Sequence, residues 1–248
     1  MTTPPLTPPA AKESQDRSAV APWWHTILFL AGMLTYGIWE WHHRPQLQGG
    51  YFHSRLALYA LTIGFEFFLL SYVWFLGLWL AGKKLRDIIG GKWATFGDFA
   101  MDVGIAIAFW SVVVLVLAIL QFALHMHGEG LKSLKTMLPQ TPIEMLLWAA
   151  MSASAGFCEE AVFRGYLQRQ MFSLAGNAWV AAVLQALAFG WVHLYQGAKS
   201  AMVITVYGAL FGFLAVMRKS LRPGMIQHAG QDTFAGIVGS LLIKHKII

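Results

Sequence analysis

Charge is what this chain has least of. Only 12% of its 248 residues are Asp, Glu, Lys or Arg, and 57% are apolar, whereas a soluble globular domain carries about 25% charged and about 45 to 50% apolar residues. Water is thereby excluded as the main solvent. Cysteine is nearly missing as well: with Cys158 alone, no intrachain disulfide can hold the fold, and helix packing inside lipid must do so. The chain also lacks the metalloprotease pattern His-Glu-x-x-His and any evident internal repeat. Its net charge of +6 comes from Lys and Arg scattered through short loops rather than gathered on one basic face with interleaved aromatics, which argues against nucleic acid. Residues 1–22 hold five of the nine prolines together with Lys12, Glu13, Asp16 and Arg17. They lack the apolar stretch of a cleavable signal peptide, so a disordered cytoplasmic tail is expected there.

What the chain does have is long apolar runs, and crossing a bilayer takes about 20 such residues in a helix. Spans are expected at 23–40, 56–81, 99–124, 143–171, 178–195, 201–217 and 223–243. The expected fold is all-α, a polytopic transmembrane helical bundle of about seven spans (six to eight), forming one membrane domain over 23–248. Thr141, Pro142 and Glu144 read as a cap, a first-turn proline and a capping-box glutamate for the fourth span, which makes Glu144 structural. Pro223 and Gly224 mark the start of the last span. Ten Lys and Arg residues fall in the loops that would be inside if the N-terminus is cytoplasmic, against seven outside. That excess favours the N-in orientation. Trp23, Trp24, Trp39 and Trp41 bracket the first span and read as headgroup anchors.

Ionisable groups within a bilayer cost at least about 2.5 to 3.5 kcal/mol each on insertion scales, so clusters of them need a physical reason. Three occur in the C-terminal half. In Cys158-Glu159-Glu160-Ala161-Val162-Phe163-Arg164, Glu160 and Arg164 are four apart and can pair on one helix face. Glu159 is rotated away by about 100° and is free to point into the bundle. In Phe189-Gly190-Trp191-Val192-His193, Phe189 supports the face that carries His193. In His228-Ala229-Gly230-Gln231-Asp232, His228 and Asp232 share a face, and the small residues between them allow close backbone approach.

Glu-Glu-x-x-x-Arg, Phe-x-x-x-His and His-x-x-x-Asn/Asp, in this order on separate spans, resemble the CPBP family of CAAX proteases and bacteriocin-processing enzymes, also called the Abi family, and within it the type II CAAX prenyl endopeptidases. The likeness covers roughly 143–243. It implies an intramembrane endopeptidase that hydrolyses a peptide bond of a membrane-associated protein or peptide, prenylated in CAAX-type processing and diverse in bacterial equivalents. Carried over by position, Glu159 and His193 would activate the attacking water, while His228 and Asp232 would stand where the oxyanion-stabilising pair stands. Glu160 and Arg164 would be the supporting ion pair. The family's glutamate-type members carry Asn where this chain has Asp232, and an ionised carboxylate would repel a developing oxyanion. Asp232 must therefore be protonated, turned towards His228, or binding a cation.

The residues themselves agree on a water-activating role for Glu159 beside His193, since amide hydrolysis needs a positioned base. Cys158 reads as a small packing residue, and no serine stands in a Ser/His/acid order. No cofactor is favoured. The alternative is a catalytic divalent metal, zinc, held by His193, His228 and a carboxylate from Glu159 or Asp232, with water in the fourth place. Depth raises a tension: at about 1.5 Å per residue, Glu159 and His228 can meet, whereas His193 falls too far from them unless its span starts later, tilts or is interrupted. Rival readings are a non-enzymatic membrane binder, such as a bacteriocin-immunity factor or scaffold, and a proton-coupled carrier. Blander readings assign the Glu-Glu/Arg group to an interfacial helix end and the histidines to packing and interhelical hydrogen bonds. Glu66, mid-span, is expected to face the interior as a partner of the site or a packing carboxyl. Asp98 and Asp102 are placed at a helix start, where the dipole favours them, and His42, His43, His53, His125 and His127 in or near loops, where they are solvated. The expected location is an inner (cytoplasmic) membrane of bacterial type, with lipid and a membrane-associated substrate as partners and no nucleic acid.

Overall fold

The computed structural model describes residues 17–48, 54–126 and 135–246. Most of the expected tail, up to residue 16, lies outside the described residues, as do His53 and His127. Among the described residues the chain is all-α, without a strand. Helix α1 spans Trp23–Gln48, α2 Arg55–Ser71 with a π-helical continuation Tyr72–Leu78, α3 Leu85–Ile89 and α4 Phe96–Ala123. Then come α5 Pro142–Glu159 with a π-helical continuation Glu160–Leu167, α6 Gln168–Ala175, α7 Ala178–Trp191, α8 Ala198–Arg218 and α9 Arg222–Lys244.

Three stretches are long and apolar enough to cross a membrane: Arg55–Leu78, Phe96–Ala123 and Ala198–Arg218. Their outer faces present Phe68, Ile107, Leu115 and Phe122 at 60 to 85% exposure, which water would penalise and lipid tails match. Helix α7 is apolar but only 14 residues long.

Caps fix where helices begin. Thr141 and Glu144 form the expected capping box, with Pro142 in the first turn, and Thr95 and Asp98 form another at the start of α4. Small residues fix where helices cross. A Cβ added to Gly156 of α5 would lie 2.7 Å from the Ala229 nitrogen and 2.8 Å from the Met225 oxygen of α9, so only glycine lets these two backbones approach this closely. Trp148 of α5 lies against Gly236 and donates its indole N–H to the Asp232 carbonyl at 2.8 Å.

One end of the bundle is tied by charge. Asp102, fully buried, faces Arg222 at 2.9 Å and Arg218 at 3.6 Å and accepts from the Trp93 indole at 2.8 Å. The helix-start reading therefore holds for Asp98 but not for Asp102. One turn further in, Asp102 anchors α4 to the α8–α9 corner, because its inward position leaves no solvent to carry its charge. His42 and His43 stand near the C-terminal end of α1, and His43 bonds back to the Trp39 carbonyl at 2.8 Å.

Candidate active site

The interior polar cluster is organised around His228, one and a half turns into α9. The close α5–α9 crossing at Gly156 brings it against the junction of α5 with its π-helical continuation. Its Nδ1 stands 3.1 Å from Glu160 Oε1, and its Nε2 3.7 Å from Glu159 Oε2 and 3.5 Å from Asp232 Oδ2. Both ring nitrogens thus face carboxylate oxygens, so the doubly protonated ring would have a partner for each N–H. Asp232 is turned towards His228, one of the dispositions its chemistry allows.

Glu160 is held from the other side by Arg164, Nη1 to Oε1 at 3.1 Å, with both side chains buried. The guanidinium lies 4.3 Å from the Phe189 ring centroid and 5.4 Å from that of Phe211, and Nη2 donates to the Gly208 carbonyl at 3.4 Å. Phe189 therefore supports Arg164 as well as His193, whose ring centroid is 4.7 Å from its own. The π-helical run Glu160–Leu167 begins at the second glutamate. A wider turn of this kind is a frequent local distortion at functional sites. It follows Glu159, which stays half-buried with 23% of its side chain exposed, while Glu160 is sealed at 1%.

His193 resolves the depth tension by interruption. Helix α7 ends at Trp191, capped by Val192, and a short 3₁₀ turn Leu194–Gln196 follows. The residue thus sits in a bend instead of a continuing span. Its Nδ1 faces the Phe189 carbonyl at 2.7 Å; with that N–H donated, the neutral ring keeps Nε2 as an acceptor. His193, Glu159, Glu66 and Glu40 line one cavity of about 390 Å³ walled by Met33, Phe65, Val162 and Phe163. That volume is in the range of small-molecule and peptide side-chain pockets.

Glu159, Glu160, His228, Asp232 and Arg164 thus form one contiguous cluster, and His193 reaches it through the cavity that it shares with Glu159. Among the described residues, no group of three or more His, Cys, Asp or Glu side chains is arranged to hold a metal ion. His228 Nδ1 faces Glu160 and His193 Nδ1 faces a backbone carbonyl, so each ring presents its Nε2 for other partners.

Glu66, expected to face inward, does so: it is 6% exposed and hydrogen-bonded to the Ser154 hydroxyl. Two residues escaped the sequence. Glu40, read there as the end of a span, is 4% exposed and lines the cavity. Tyr207 packs edge-on to His228 at 5.6 Å between centroids, with its hydroxyl buried. Nothing in local sequence distinguishes Glu40 from a headgroup carboxylate beside Trp39 and Trp41, because only the packing of α1 against the bend after α7 encloses it.

Residues 139–234 match the family model of the Rce1-like proteins, described as type II CAAX prenyl endopeptidase Rce1-like. The matched segment contains all three motifs, from Glu159 to Asp232. No curated protein and no solved structure matches the chain. The resemblance read from the motifs is thus shown independently. The segment that carries the motifs is similar to a protease family, and the long apolar helices fit an integral membrane protein.

Proposed function

We propose that this membrane protein, similar over residues 139–234 to the Rce1-like type II CAAX prenyl endopeptidases, is an intramembrane endopeptidase acting on a membrane-associated protein or peptide, in CAAX-type processing or its bacterial equivalent. The observation that carries the reading is the shared cavity: Glu159 and His193, drawn from α5 and from the bend after α7, open onto one space, with His228 and Asp232 directly behind Glu159.

In this reading a water held between Glu159 and His193 Nε2 attacks the scissile carbonyl carbon while Glu159 takes one of its protons. The carbonyl π electrons move to oxygen, and the Nε2–H of His228 stabilises the resulting oxyanion. Collapse breaks the C–N bond, and the proton held by Glu159 passes to the leaving amine. The products are a new carboxyl terminus and a new amine. Glu160 and Arg164 hold His228 in register, and Asp232 keeps the other edge of the ring. No metal takes part. The bundle has about seven spans with its N-terminus cytoplasmic, in an inner membrane of bacterial type.

Glu159→Ala in purified full-length protein should lower peptide hydrolysis by about a hundred- to ten-thousandfold, the usual weight of a general base. Retention of most activity would rule the scheme out. Hydrolysis is expected to persist in a strong chelator; loss with zinc-specific recovery would replace the water-glutamate scheme by a metal one.

A further inference from the structure

The cavity holds a carboxylate that this mechanism does not use. Glu40 of α1 is 4% exposed, lines the same space as Glu159 and His193, and has an Oε2 without a hydrogen-bond partner among the described residues. Its other neighbour is the Tyr36 hydroxyl, one turn back on the helix. No Lys, Arg or His is placed within ion-pair distance of it among the described residues. Glu66, the third carboxylate of the lining, is bonded to Ser154 instead.

The charge of the lining is one-sided. Glu40, Glu66 and Glu159 stand against a single guanidinium, Arg55, which already donates to the Thr136 carbonyl at 3.0 Å and faces Glu144 at 3.8 Å. Aromatic faces lie beside Glu40: Tyr36 stacks on Phe65 at 5.3 Å and on Trp39 at 6.2 Å. A buried acceptor next to stacked rings offers a cation both an ion-pair partner and a π face. Tyr195, two residues after His193, lines the same cavity as Glu40, Glu159 and His193, which places this spot in the space of the reacting groups.

We propose that Glu40 forms a subsite for a positively charged group of the peptide substrate, a lysine or arginine side chain near the scissile bond or a free amino terminus. The inference rests on the peptidase reading and deepens it by naming a substrate class. A buried carboxylate that gains a cationic partner recovers the hydrogen bond it otherwise lacks, and a substrate without the cation leaves it unmet.

The test uses the purified full-length protein in nanodiscs with matched pools of N-acetylated peptides, identical except that one fixed position holds lysine or norleucine, read by mass spectrometry. Wild type should cleave the lysine pool about ten- to a hundredfold faster, the weight of a charge-assisted bond. Glu40→Gln should bring that ratio close to one, and Glu40→Asp should restore part of it. If non-acetylated norleucine peptides are instead cleaved faster than their acetylated counterparts, and Glu40→Gln removes that difference, the cation is the amino terminus. Cleavage by wild type with equal rates on lysine and norleucine pools and on acetylated and non-acetylated ones, or a ratio unmoved by Glu40→Gln, would overturn the subsite and leave the peptidase standing. Should wild type be as silent as Glu159→Ala, the peptidase reading fails. Binding of fluorescent lysine and norleucine peptides to Glu159→Gln protein then decides the subsite alone: a tenfold lysine preference that disappears with Glu40→Gln upholds it, and equal binding refutes it.

Discussion

Replacing Arg164 with methionine keeps most of the side-chain volume and deletes the guanidinium. In the structure this group has no exposure, lies 3.1 Å from Glu160 Oε1 and rests on the Phe189 ring at 4.3 Å. Coulomb attraction at 3.1 Å is about 5 kcal/mol with an effective dielectric near 20. Deleting one partner of a buried pair costs about 3 to 5 kcal/mol, because the other charge is left uncompensated. Arg164→Met is therefore expected to lower unfolding free energy by about that amount, with Glu160 left to His228 alone. Glu160→Gln in the same protein removes the stranded charge, so the double variant should regain at least about 2 kcal/mol over the sum of the single losses. Reversible unfolding in mixed detergent micelles measures all three. A loss below about 1 kcal/mol for Arg164→Met, or strictly additive effects, would refute the claim that this pair is sealed from solvent and holds His228 in place.

Two further outcomes follow from the geometry. Asp232→Asn keeps a polar group beside His228 and removes the repulsion of an oxyanion, so hydrolysis should stay within about tenfold of wild type or rise, while Asp232→Leu should lose about a hundredfold; equal rates for the two variants would place the residue away from the carbonyl. Gly156→Ala pushes a methyl into the α9 backbone, where 2.7 Å is all the room there is. It should cost about 1 to 3 kcal/mol and lower hydrolysis as α9 moves His228, whereas Gly230→Ala, with nothing within 4 Å of its added Cβ, should be close to neutral in melting temperature.

Periodicity and charge carried the sequence reading a long way, and each success has a local cause. Capping is a four-residue event, so Thr141, Pro142 and Glu144 announced the start of α5. Four-residue spacing on a helix is likewise local, so the Glu160–Arg164 pair and the shared face of His228 and Asp232 were legible without knowledge of any neighbour. Asp102 was misread because its partners Arg218 and Arg222 lie more than a hundred residues away, and helix-start chemistry gave a sufficient local account of it. Glu40 and Tyr207 went unseen for the same reason: their enclosure depends on how distant helices meet.

Hydropathy alone had stretched one span across His193, yet the chain leaves the helix at Trp191. Irregular backbone at membrane depth is tolerated only where it is buried in protein or lines a wet cavity. The bend after α7 meets that condition, since His193 and Tyr195 both line the cavity of Glu159 and the Trp191 indole donates to the Leu34 carbonyl of α1 at 3.2 Å. The break therefore does two things at once. It takes His193 out of the regular helix, and it leaves His193 and Tyr195 half-buried along the cavity. The π-helical run at Glu160 supplies the matching adjustment on α5, sealing one glutamate against Arg164 while its neighbour remains open to the cavity. Two departures from regular helix, on elements packed against each other, are what open a carboxylate and an imidazole onto one cavity.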